Sequence, residues 1–242
     1  MGYRDYNNYH YVSAAEKAEK ARKQLEKLRK KDPGLSPIII EGNTIAKSWW
    51  GKAWTKNLES YADYASRIGR GRSYVKNGMV LDLKIEEGEV SALVAGSRSK
   101  PYSIIITIKP ISGDMLERLV KLCNRKISTL EELVEGRFPK DLADLFTKTG
   151  LGLFPTNKEI KFSCTCPDWA NMCKHVSAVL YAIGAKLDSD PTLFFKLRGV
   201  DFGLFLAKTV GEKTDNMLKN AGAKSDRVLA DEDVSKLFGE LG

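Results

Sequence analysis

Three of the four cysteines and one of the two histidines fall within the twelve residues from Cys164 to His175. The spacing is C-x-C-x6-C-x-H: Cys164, Cys166, Cys173 and His175. Tetrahedral zinc takes four soft or borderline donors, and three thiolates with one imidazole are a standard closed set. The flanking sequence suits ligation. Residues 159–163 alternate like a strand, which places Cys164 and Cys166 at its end and on one side. Pro167-Asp168 turns the chain. Val176, Val179, Leu180 and Ile183 then recur at helical spacing. Cys173 and His175 therefore sit at a helix start, where half-helical backbone lets residues i and i+2 converge on one ion. The alternatives are three small buried hydrophobes beside a chance histidine, or a disulfide. A disulfide leaves an odd thiol, and a reducing cytosol does not keep it. Four protein ligands leave no open position for water or substrate, so one structural Zn2+ is expected. Loss of a ligand is expected to unfold residues near 160–185. Cys123 lies among apolar neighbours on an expected helix and reads as core.

Cys166-Pro167-Asp168-Trp169-Ala170, Cys173-Lys174-His175-Val176 and Val179-Leu180-Tyr181 together resemble the SWIM zinc finger. That family carries C-x-C-x(n)-C-x-H on a ββα unit. The resemblance extends to Ser48-Trp49-Trp50-Gly51-Lys52-Ala53-Trp54, Arg70-Gly71-Arg72-Ser73-Tyr74-Val75, Gly96-Ser97-Arg98 and Phe194-Phe195-Lys196-Leu197-Arg198-Gly199. These segments look like the stand-alone prokaryotic SWIM-finger proteins. The resemblance implies binding of nucleic acid or protein, and a place beside a Swi/Snf-type helicase-like ATPase. Nothing in the spacing itself shows such a partner.

The 242 residues are 43% hydrophobic and 29% charged, close to ordinary globular values. No apolar run approaches the roughly 20 residues that span a bilayer. The polar, aromatic N-terminus shows no secretory signal, so a cytoplasmic protein with no membrane partner is expected. The net charge of +8 is unevenly placed. Residues 1–76 carry 16 Lys and Arg against 8 Asp and Glu, and the rest of the chain carries 23 of each. A localised basic excess is the footprint of a polyanion partner or a solvated, solubilising surface.

The expected fold class is α+β: an antiparallel β-meander with flanking helices, then a ββα SWIM-type finger and C-terminal helices. Four segments are expected: a tail and basic helix over 1–34, an α+β domain over 35–150, the finger over 151–190 and a helical segment over 191–242. Ser13 and Glu16 fit a capping box for a helix over 13–31, whose apolar side is thin. Residues 38–40 read as a short strand and 46–67 as one helix carrying Trp50, Trp54, Leu58 and Tyr61 on a core stripe. Gly69-Arg70-Gly71-Arg72 reads as a loop and 73–76 as a strand. Strands at 80–85, 90–95 and 102–108 follow, with Asn77-Gly78 and Glu87-Gly88 as turns. Helices are expected at 112–125, 130–134, 142–146 and 191–221.

Arg67, Arg70, Arg72 and Lys76 form a basic cluster around two glycines, and guanidinium groups suit phosphate in a bidentate fork. The same residues also describe a solvated basic loop. Trp49 lies off the core stripe and, with Lys52, is a candidate for base stacking. Lys174 sits between two ligands, placed to meet a phosphate or to soften thiolate charge. Trp169 either covers the metal site or faces a partner.

No catalytic constellation is found. His10 lies in the tail, and the acidic pairs Glu131–Glu132 and Asp141–Asp144 have the spacing of solvated helix faces. Asp82, Glu86 and Glu89 are the strand-borne carboxylates that a metal-dependent nuclease would need. The expectation is a non-catalytic, zinc-binding nucleic-acid module, for DNA in preference to RNA, with no small-molecule substrate. The alternative is a protein-interaction subunit of the ATPase that makes no direct nucleic-acid contact.

Overall fold

Ser13 opens the first helix as its sequence requires. The Glu16 N–H donates to Ser13 Oγ at 3.2 Å, and the Ser13 N–H donates to the Glu16 carboxylate at 2.7 Å. The helix, α1, runs Ala14–Arg29 and buries only Ala21 and Gln24. Its docking is polar. The Gln24 amide donates to the carbonyls of Arg98 and Ser99, and the Lys20 ammonium donates to that of Ser97. The structure, a computed structural model, describes residues 12–124 and 152–221 together with Ala143 and Thr147. The tail with His10, the helix expected at 130–134, most of that at 142–146, both acidic pairs and residues 222–242 lie outside the described residues.

Helix α2 (Trp49–Leu58) is capped by Ser48 and continues as a 3-10 turn at Glu59–Tyr61. Trp54, Leu58 and Tyr61 are buried, so the expected stripe is the core face. The indole N–H groups of Trp50 and Trp54 donate to the carbonyls of Leu187 and Leu180. The single helix expected over 46–67 is corrected: the chain leaves helical geometry at Ala62 and re-enters it at α3 (Ala65–Lys76). The Gly-Arg loop and the strand at 73–76 are corrected with it, because both lie within α3. Two glycines disfavour a helix by about 1 kcal/mol each. Burial outweighs that: Val75 is fully buried, and Gly71 packs on a later helix so closely that a Cβ there would lie 2.5 Å from Ser177 Cβ.

The strands β1 (Val80–Glu86), β2 (Glu89–Val94), β3 (Tyr102–Ile108) and β4 (Ile160–Cys164) form one antiparallel sheet in that order. Tyr102, Ile104, Ile106 and Ile108 point into the core, while Ser103, Ile105 and Thr107 point out. The expected strand at 38–40 is corrected to an extended segment along the β1 edge. It is held where the Ile38 N–H donates to the Val80 carbonyl and the Leu83 N–H to that of Ser36, and Ile39 is 77% exposed.

Helix α4 (Gly113–Asn124) packs on the last helix of the described residues, α7 (Phe202–Ala221). Cys123 on α4 is buried, and burial pushes its thiol up to about 12. Helix α5 (Lys174–Ser189) buries eleven of its sixteen residues between the sheet and the α2–α3 pair. Such all-round burial marks a central core helix rather than an amphipathic one. Short helix α6 (Leu193–Leu197) adds Phe194, which packs on Phe154 and Trp54. Residues of 151–190 thus share one sheet and one core with those of 35–150.

Candidate metal centre and basic surface

Cys164 ends β4 opposite Ile104 of β3, and Cys173 is the N-cap of α5. The connection between them carries Cys166, and the first turn of α5 carries His175. The four ligand atoms all lie within 4.8 Å of one another. Sγ of Cys164 and of Cys173 stand 3.9 and 3.8 Å from His175 Nδ1, close to the roughly 3.6 Å between sulfur and nitrogen on a tetrahedral zinc. Donation from the Cys164 thiol holds Cys173 well below the usual thiol range, against the opposing effect of its burial. Cys164 is correspondingly raised, first by that hydrogen bond and then by burial. Three sulfurs and one imidazole nitrogen gathered this closely fit one zinc ion.

Aromatic rings brace the imidazole. It lies against the Tyr102 ring at 4.4 Å and meets Tyr74 at 5.5 Å, T-shaped. Its Nε2 is buried without a hydrogen-bond partner, so Nδ1 is the nitrogen presented to the sulfurs. A Cβ at Gly96 would lie 2.3 Å from Tyr102 Cε2 and 3.4 Å from His175 Nε2. Gly96 is thus needed for the close approach of the 95–97 backbone to the histidine brace. Sequence reasoning missed both tyrosines; it marks Tyr102 only as the start of a strand.

The loop between the ligands docks on the α2–α3 junction. Arg67 reaches Asp168 through two nitrogens at 3.0 and 3.1 Å. The Ala170 N–H donates to Asp168, and the Asn171 N–H donates to the Asp63 carboxylate. Burial pushes the Asp168 carboxyl up, but the Ala170 N–H and the Arg67 guanidinium outweigh it and leave the group below its usual value. The stability it contributes is therefore complete at neutral pH and lost as pH falls through the depressed value. Arg67→Ala is expected to cost about 1–2 kcal/mol in urea unfolding at pH 7, and less as the pH is lowered to 3.

This clamp turns Trp169 outward. Its side chain is 78% exposed, and its ring meets Tyr64 edge-on at 5.4 Å. Trp169 is therefore mostly open to solvent. Trp169→Ala is expected to change stability by less than about 0.5 kcal/mol.

The remaining candidates divide into two groups across α3. On one flank Lys52, Arg72 and Lys76 line a recess of about 340 Å³ with Tyr181 and Glu59. Arg72 pairs with Glu59 at 2.9 Å and lies 5.5 Å from the Tyr181 ring centroid. On the other flank stand Arg70 and Lys174. Arg67 joins neither, because it holds the loop. Trp49 is half-buried against the core and packs edge-on with Trp50, so it is no open stacking platform. Asp82 accepts from the Ser36 N–H, and Glu86 pairs with Lys196. Among the described residues, Cys164, Cys166, Cys173 and His175 are the one set of such groups gathered closely enough to hold an ion.

A family model for the SWIM zinc finger matches residues 155–184, which span β4, all four ligands and the first part of α5. The chain carries a SWIM zinc finger. It is also similar to the uncharacterized protein Rv2102 of Mycobacterium tuberculosis, with 34% identity over 172 residues. The match covers 71% of this chain but only 62% of that protein, so the chain spans less than two thirds of its relative. No solved structure matches the chain. The SWIM finger here is built into the meander: its strand is the sheet's fourth, and its helix is the core's central element.

Proposed function

We propose that this SWIM protein is a zinc-stapled, non-catalytic nucleic-acid-binding module, with DNA as its polyanion. The reading places it in the cytoplasm beside a Swi/Snf-type helicase-like ATPase. The observation that carries it is α3. This helix presents Arg70, Arg72 and Lys76 and carries no acidic residue, its fourth cation, Arg67, being taken up by Asp168, and Lys52 and Lys174 widen its basic surface on either flank. The Arg72–Glu59 pair is about half exposed and subtracts little, since such pairs contribute at most about 1 kcal/mol. Guanidinium groups on a helix suit phosphate oxygens. Affinity of this origin falls steeply with salt, because bound phosphates release counterions.

The test is anisotropy of a labelled duplex across a salt series. Replacing both Arg72 and Lys76 with Gln should lower the log–log salt slope by about two and leave zinc content unchanged. Affinity that is absent, or unaffected by salt, would sink the reading. One observation favours a second reading, a protein-docking surface for the ATPase: the exposed Trp169 against Tyr64. Tyr and Trp are enriched at protein–protein interfaces relative to the rest of the surface. Under that reading Trp169→Ala removes ATPase capture and leaves duplex binding intact.

A further inference from the structure

At the junction of α1, α3 and α5 lies a second basic recess, on the zinc-facing flank of α3. Its volume is about 280 Å³, and Lys17, Arg70, Ser73, Tyr74, Asn77 and Lys174 line it. None of these is a carboxylate. Neither Arg70 nor Lys174 makes an ion pair among the described residues. Tyr74 joins the recess to the metal centre: its ring edge meets His175, and the Lys174 ammonium stands 5.7 Å from its centroid. Lys174 follows Cys173 and precedes His175, so two ligands hold its backbone.

We propose that this recess seats one phosphate group of a nucleic-acid backbone. Arg70 supplies the planar fork and Lys174 the point charge. The zinc ion touches no phosphate, but by fixing Cys173 and His175 it sets where Lys174 and the Tyr74 ring stand. A phosphodiester carries one charge, as a carboxylate does; what favours a nucleic-acid backbone is the run of adjacent phosphates, which supplies charge for both cations where a lone anion supplies it for one. The assignment rests on the nucleic-acid reading above and deepens it.

The experiment has two arms, both on the zinc-loaded full chain. In the first, inorganic pyrophosphate is titrated into wild-type protein and amide NMR shifts are followed. Saturable shifts confined to 17, 70–77 and 174 are expected, weakened at least fivefold in the variants Arg70→Gln and Lys174→Gln. Small, unsaturating shifts spread over all basic segments would overturn the seat. In the second arm, duplex DNA is titrated across a salt series. The double variant should bind at least tenfold more weakly at low salt, with a slope reduced by about two. Unchanged duplex binding with saturable pyrophosphate would overturn the backbone assignment and leave a site for a free phosphate compound. Normal, salt-dependent duplex binding in both wild type and double variant, with no pyrophosphate response, removes the seat while the proposed function stands. No duplex binding in any form removes the proposed function itself. Zinc stoichiometry of each variant, expected at one per chain, separates lost binding from lost folding.

Discussion

Replacing Cys173 with Ser is expected to release the zinc and to unfold far more than the finger. Structural zinc in finger peptides binds with about 10–16 kcal/mol, and that affinity is folding energy. Whole domains are stable by only about 5–15 kcal/mol. The sequence alone pointed to loss of structure over 160–185, but the architecture extends the damage. Cys173 is the N-cap of α5 and is itself 1% exposed. Helix α5 is the surface on which α2, α3 and the sheet all pack. A destabilisation above about 5 kcal/mol lowers the melting temperature by more than about 10 °C at this chain length. The readouts are metal content by atomic emission and the thermal transition by near-ultraviolet circular dichroism. Cys123→Ser is the matched control. It loses a buried thiol of similar size and is expected to keep its zinc. A Cys173→Ser protein with one zinc and wild-type melting would refute the metal assignment.

The second large effect is expected at Gly71. Helix propensity alone predicts that Gly71→Ala gains about 1 kcal/mol. The packing predicts the opposite sign. The new Cβ would lie 2.2 Å from Ser177 Oγ, 2.5 Å from Ser177 Cβ and 2.9 Å from the Ala178 nitrogen. The last atom is backbone and cannot rotate away. Overpacking of this kind costs about 1–3 kcal/mol, occasionally more, and Gly71→Leu should exceed the alanine variant. Urea midpoints measure both. Ser177→Gly removes the two nearest atoms, so the double variant Gly71→Ala with Ser177→Gly should cost less than the two single changes combined. An alanine variant as stable as wild type would show that α3 and α5 are farther apart than described.

The contrast between these two sites explains what could be read from the chain. The ligands lie within twelve residues, and their chemistry is local, so the spacing carried the site. The β-meander was equally visible because alternation and turn pairs are local signals. Helix α3 was not, because Gly69 and Gly71 look like loop residues until the partner is known. Ser177 lies more than a hundred positions away in sequence, and no local pattern announces it. A trace existed in Ile68, Gly71 and Val75, which recur at helical spacing: Gly71 packs on α5, Val75 is buried and Ile68 lies against the core. The Arg67–Asp168 clamp was hidden for the same reason: its two charges are 101 positions apart. Arg67 therefore read as a phosphate ligand when its guanidinium already has a partner.

The pairing of β4 with β3 bears on how the finger can be handled as a reagent. A peptide cut at 151 and 190 would retain all four ligands and could still load metal. It would also leave β4 without Ile104 and Ile106 beside it and expose the face of α5 that Val176, Val179, Leu180 and Ile183 bury. Such a fragment is expected to be zinc-loaded and aggregating, because an apolar helix face and an unpaired strand edge are both adhesive. It would also lack Arg70, the partner that Lys174 has across the recess. Excision would therefore preserve the metal chemistry and discard the surface that the metal holds in place.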